Sequence, residues 1–195
     1  MGRASHAVTG RPLLLVGLSS TFMDQATAIG RIAEALGRLP VRGLITTGPA
    51  IDPETIPAPA NVQVVGSAPH REILPHAAAM VTDAGHGLVV RALAAGVPMV
   101  MMPFGLDQVE AAARAAYAGA GVRIRPGASP ARIARGVREV LDDSSFREAA
   151  ARAASTIAAE QGRDAAADAL EELSGASRSN GALFGARAAV PGSAS

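Results

Sequence analysis

The chain has 195 residues, of which 49% are hydrophobic, and a formal net charge of +1 at pH 7. That length supports one domain with its own core, and the charge is too balanced for the clustered basic footprint of a nucleic-acid binder. It contains no Cys and no Trp, and all 18 basic residues are Arg, which excludes disulfides, thiol nucleophiles, zinc–thiolate sites and any Schiff-base lysine.

Residues 1–11 read as a polar leader without the apolar stretch of a secretory signal. Residues 13–18 form a short apolar run ending in Ser19, Ser20 and Thr21, the pattern of a buried strand followed by a polar turn. Ile29, Ile32, Leu36 and Leu39 then recur at helical spacing. Strands are expected at 43–47 and 62–65, separated by a segment, 48–61, that carries four prolines and reads as a loop. A fourth strand at 79–82 leads through a turn at 83–87 into a helix over roughly 88–95. A fifth strand at 98–102 leads into a helix from Asp107 to about 118, and a sixth covers 121–124. Ser129 caps a helix with Ile133, Val137, Val140 and Leu141 on one face. A further helix opens at Ser144 or Ser145, and a last one covers 163–173.

Strands alternating with helices imply an α/β fold with a Rossmann-like, six-stranded parallel sheet flanked by helices. The expected organisation is a leader over 1–11, one domain over 12–173 and a disordered tail over 174–195, which is small, polar and aperiodic. The most apolar stretch, 87–106, is interrupted by Arg91, Pro98 and Pro103, so no membrane span is expected and a cytoplasmic location is the default.

In parallel sheets, ligands bind beyond the carboxyl ends of the strands, which makes four turns candidate sites: 19–21, 66–70, 83–87 and 104–108. In the third, Gly85-His86-Gly87 lies between a strand and a helix, where backbone N–H groups and the helix N-terminus favour an anion; a plain turn explains it equally well. Asp107 and Gln108 offer an acceptor and an amide to sugar hydroxyls, or else an N-cap followed by a solvated Gln. His70, His76 and His86 lack helical ligand spacing, so no metal site is expected. His70 follows Pro69 and is placed to touch a nucleobase, or is a surface turn residue.

Residues 66–124 (GSAPHREILPHAAAMVTDAGHGLVVRALAAGVPMVMMPFGLDQVEAAARAAYAGAGVRI) closely resemble the signature segment of bacterial family-1 glycosyltransferases of the macrolide and flavonoid type. The resemblance continues upstream through LLLVGLSSTFMDQ (13–25) and GLITTGPAID (43–52). It implies the C-terminal, donor-binding half of a GT-B fold. In that half Ser19, Ser20, Gly85, His86 and Gly87 would hold the donor phosphates, Ser67, His70 and Ile73 would face the base, and Asp107 and Gln108 would bind the sugar. It further implies an inverting transfer in which an acceptor hydroxyl attacks the anomeric carbon of a UDP- or dTDP-sugar. The nucleotide sugar is a substrate, and no cofactor is implied. The catalytic base of such enzymes lies in an N-terminal acceptor domain, so none of the catalytic residues is expected in this chain.

Three positions depart from the family pattern: in the segment that usually reads H-G-G-x-G-T, Asp83 replaces a phosphate-contacting His and Leu88 replaces a hydroxyl residue, and further on Ala111 replaces the Asn that follows the D-Q pair. Two like charges 4 Å apart repel by about 4 kcal/mol at an effective dielectric of 20, and losing a charge-assisted hydrogen bond costs roughly 1.5–3 kcal/mol. Three readings follow: a donor domain lacking its acceptor domain; a degenerate, non-catalytic nucleotide- or partner-binding module, or the fragment of a split enzyme; and, more distantly, a GT-B sugar-nucleotide epimerase. The apolar loop residues Phe22, Met23, Phe104 and Leu106 suggest either an acceptor-domain partner chain or a homodimer.

Overall fold

The computed structural model describes residues 10–18 and 25–161. Six strands, β1 (Leu13–Gly17), β2 (Arg42–Thr46), β3 (Val62–Val65), β4 (Ala79–Thr82), β5 (Met99–Met101) and β6 (Gly121–Arg123), pair in parallel in the order β3-β2-β1-β4-β5-β6. Leu15 lies opposite Leu44 on one side and Met80 on the other, so the first strand in sequence is central in the sheet, as its unbroken apolar run requires. Chain order reverses between β1 and β4, which opens a crevice at their carboxyl ends.

The helices are α1 (Ala26–Gly37), the four-residue α2 (His70–Ile73), α3 (His86–Ala94), α4 (Gln108–Tyr117), α5 (Pro130–Asp142) and α6 (Ser144–Gln161). Side chains alternate across a strand, and this divides the core in two. Leu14, Val16, Ala79, Val81 and Val100 pack with Ile29, Ile32, Leu36, Ile133 and Val137 of α1 and α5. Leu15, Met80, Met99 and Met101 pack with Val89, Ala92, Ala112 and Ala115 of α3 and α4. Flexible Met side chains fill the space that the small Ala-rich helix faces leave on that side. Helices α3 and α4 both end in a left-handed glycine, Gly96 and Gly119, whose following N–H reaches back to the carbonyls of Ala92 and Ala115.

Strands β3 and β4 match their expected limits, and the other four differ from them by a residue or two at their ends. The proline-rich loop holds a 3₁₀ turn, Pro53–Thr55, capped by the Asp52 carboxylate, which accepts from the Glu54 N–H at 3.0 Å. Helix α2 was not foreseen, because four residues are too few to display a period. Ser129 caps α5 as expected, accepting from the Arg132 N–H at 3.4 Å, with Pro130 in the first turn.

The chain divides into compact units, Met1–Ile157 and Ala158–Ser195. The expected helix over 163–173 and the tail from 174 lie outside the described residues, as do Ser19, Ser20, Thr21, Phe22 and Met23. No described helix is long and apolar enough to cross a membrane.

Candidate functional site

A cleft of about 440 Å³ opens at the carboxyl end of the sheet. Its walls come from Leu18 after β1, Thr46, Gly48 and Pro49 at the end of β2, and Gly66, Ser67, Ala68 and His70 after β3. Asp83, Gly85, His86, Gly87, Leu88 and Arg91 complete it from the β4–α3 turn and the first turns of α3. Two of the four turns singled out in the sequence, 66–70 and 83–87, line it, because parallel strands deliver all their carboxyl ends to one edge.

On the β2–β3 side, the Thr46 hydroxyl donates to the Val16 carbonyl at 3.1 Å and lies 2.9 Å from His70 Nε2. A hydroxyl has one proton to give, so Nε2 carries the hydrogen of the His70 ring and donates to Thr46, leaving Nδ1 as an acceptor. Burial pushes the His70 imidazole below its ordinary range, and the nearby Arg91 guanidinium lowers it further. The neutral ring rests against Gly17: a methyl group on that glycine would sit 2.7 Å from His70 Cε1.

The β4–α3 turn is built around Asp83. Ala84 takes a left-handed conformation, with φ 66°, and its N–H bonds to Thr82 Oγ1 at 3.2 Å. Asp83 Oδ1 accepts from the Gly85 N–H at 3.1 Å and from Thr82 Oγ1 at 3.4 Å, while Oδ2 accepts from Gln108 Nε2 at 2.9 Å. The carboxylate is fully buried on the cleft floor. These bonds complete the turn by Gly85, the residue preceding α3, so the helix begins at His86 rather than near 88. His86 and Gly87 consequently occupy its exposed first turn, and Leu88 lies half-buried just behind them.

The remaining sequence candidates separate. Ser67 is exposed on the cleft wall. Ile73 does not line the cleft; it packs against the core under α3 and α4. Asp107 precedes α4 with an exposed side chain that makes no capping hydrogen bond. Gln108 is buried at 4% exposure rather than solvated, and its Oε1 accepts from the Phe104 N–H at 2.8 Å. Ala111 is half-buried against the same core as Ile73. No group of His, Asp and Glu among the described residues is arranged to hold a metal ion. Sequence reasoning missed Thr46, Pro49 and Arg91. Thr46 and Arg91 look like an ordinary strand end and a solvated helix position until the fold turns them toward the cleft. Gln25 is buried at the start of α1, and its Nε2 finds no hydrogen-bond partner among the described residues.

The Erythromycin biosynthesis protein CIII-like C-terminal domain family matches residues 31–173, well over half of the chain. The chain belongs to this family. Among curated relatives, 4'-demethylrebeccamycin synthase of Lentzea aerocolonigenes is 39% identical over 168 residues, covering 86% of this chain and 39% of the relative. TDP-daunosamine transferase DnrS of Streptomyces peucetius is 31% identical, covering 86% and 41%. Among solved structures, the calicheamicin glycosyltransferase CalG4 superposes with a TM-score of 0.78 at 31% identity, covering 87% of this chain and 43% of that one. The chain thus spans about two fifths of the length of these relatives, and the family segment it carries is the C-terminal half of a GT-B glycosyltransferase.

Proposed function

We propose that the cleft binds the nucleoside diphosphate of a UDP- or dTDP-linked sugar, and that this family member serves as the donor half in hexosyl transfer to a hydroxyl group of a small molecule. The observation that carries this reading is the cleft's position where strand order reverses between β1 and β4, with the N-terminus of α3 opening into it. The exposed N–H groups of the first turn of α3, together with His86 and Arg91, supply donors and positive charge to the phosphates. Ser67 and His70 flank the base, and Asp107 faces the sugar. The acceptor hydroxyl attacks the anomeric carbon, the nucleoside diphosphate departs, and the base that takes the hydroxyl proton comes from an acceptor domain. Such a domain, on a partner chain or reached through a homodimer, would cover Leu106, which is 83% exposed beside the cleft-facing turns. The reaction needs no cofactor and takes place in the cytoplasm.

A second reading, a degenerate module that binds a nucleotide or a partner without catalysis, is favoured by Asp83, an anion on the floor where phosphate would lie. Calorimetric titration with UDP, dTDP and their glucose conjugates tests the first reading. Saturable binding at micromolar to millimolar concentration, competed between nucleotide and conjugate, is expected. No heat from any of the four at millimolar concentration would refute it.

A further inference from the structure

Gln108, the first residue of α4, and Asp83, in the β4–α3 turn, are both buried, at 4% and 0% exposure. The bond between them joins the β4–α3 turn to the start of α4, whose Gln108 also holds the preceding loop through the Phe104 N–H. The orientation of the Gln108 amide is forced by its partners. A backbone N–H, that of Phe104, can only meet Oε1, and a carboxylate, that of Asp83, can only receive Nε2. The loop so fastened contains Leu106, a non-glycine residue with φ 55°. The turn on the other side contains Ala84 with φ 66°. Left-handed non-glycine residues persist only where their surroundings hold them, and the Asp83–Gln108 bond clamps the two segments that carry them. Gln108 does not line the cleft.

We infer that Asp83 is a positioning residue that draws Gln108 out of the ligand site and makes it a structural tie between two loops, so that this cleft recognises the nucleoside diphosphate and gains little from the attached sugar. The inference rests on the nucleotide-binding reading for its substrate class, but the tie itself does not depend on it. A neutral acceptor at position 83 would hold Gln108 less firmly, because hydrogen bonds to a charged partner are about twice as strong as those between neutral groups. Without Asp83, Nε2 loses its charged acceptor, and the less firmly held side chain turns outward toward the ligand.

The test measures affinity for UDP and for UDP-glucose, and for the dTDP pair, in wild type, Asp83→Ala, Gln108→Ala and the double variant, with chemical denaturation of each. In wild type, nucleotide and conjugate bind within a few-fold of each other. Gln108→Ala weakens both by the same factor, because it only loosens the loop. Asp83→Ala raises the preference for the conjugate by roughly tenfold, as one released side-chain hydrogen bond to the sugar allows, and the double variant loses that gain. A purely structural role for Asp83 would not move this ratio. Side-chain amide signals of Gln108 shift toward those of a solvated glutamine in Asp83→Ala. Denaturation gives a non-additive cycle, in which the double variant is more stable than the two single losses predict. A Gln108→Ala protein that loses conjugate affinity about tenfold while keeping nucleotide affinity shows a direct sugar contact and overturns the inference; this arm decides the matter even if Asp83→Ala does not fold. An additive cycle overturns it as well. If no variant binds any nucleotide, the proposed function falls, and the cycle and the amide signals still decide whether the tie exists.

Discussion

Replacing Gly17 with Ala tests whether the end of β1 shapes the cleft. The added methyl would lie 2.7 Å from His70 Cε1 and 3.1 Å from Met80 Cε. Both are ends of side chains, but their freedom differs. Met80 is fully buried among the residues packed under α3 and α4, whereas His70 is only half-buried on the cleft wall. The methyl group of Met80 needs to yield by a few tenths of an ångström, and the imidazole must move much further. Overpacking a core with no relief costs about 1–3 kcal/mol. If the ring swings away, the cost is instead its hydrogen bond to Thr46, about 0.5–1.5 kcal/mol. Ala in place of Gly returns roughly 0.4–1 kcal/mol by narrowing the unfolded ensemble. The net expectation is a loss of stability under about 1 kcal/mol, because the half-buried partner moves first. The affinity for UDP or dTDP falls together with the displaced His70. Urea denaturation, calorimetry and the ring ¹H–¹⁵N signals of His70 measure the three consequences. A stability loss of about 3 kcal/mol with unchanged ring signals would show that the strain goes into the core rather than the cleft, and would refute the reasoning.

Asp83→His should remove the like charge from the proposed phosphate position and raise affinity for UDP and dTDP about tenfold or more, with Leu88→Thr adding to it non-additively; unchanged calorimetric affinity in the double variant would remove Asp83 as the inhibitory group. The depressed His70 pKa means that the unfolded chain binds a proton there more readily than the folded one. Stability should therefore be complete above the ordinary histidine range and decline as the pH falls through it toward the lower folded value. Denaturation midpoints for wild type and His70→Gln between pH 7.5 and 5 would show this, and equal slopes for the two would contradict it. Gly121→Ala should prevent folding, since its methyl would lie 2.0 Å from the Met99 carbonyl oxygen, a backbone atom fixed in the sheet; a cooperative unfolding transition near the wild-type midpoint would disprove this.

The residues that announce the fold do so through local rules. The apolar run at 13–18 required a strand covered on both faces, and the structure seats it in the middle of the sheet. Ser129 and Pro130 marked the start of α5 through capping chemistry, and the signature segment 66–124 carried the family without any coordinates. The site was less legible, because hydrogen bonds between turns depend on which strands are neighbours, and no spacing along the chain records that. Twenty-five positions separate Asp83 from Gln108, and twenty-four separate Thr46 from His70. In sequence, Asp107-Gln108 reads as a sugar-binding pair or as an N-cap followed by a solvated Gln; the fold exposes the first and buries the second, because α4 begins between them and turns successive side chains about 100° apart. Sequence alone determined the order of the six strands and of the helices longer than α2 as far as residue 161, the family and the identity of the unusual carboxylate at position 83. Only the tertiary structure decided that this carboxylate is buried and hydrogen-bonded to Gln108, since burial and pairing arise when β4 and β5 pack side by side and bring their carboxyl-end turns into contact.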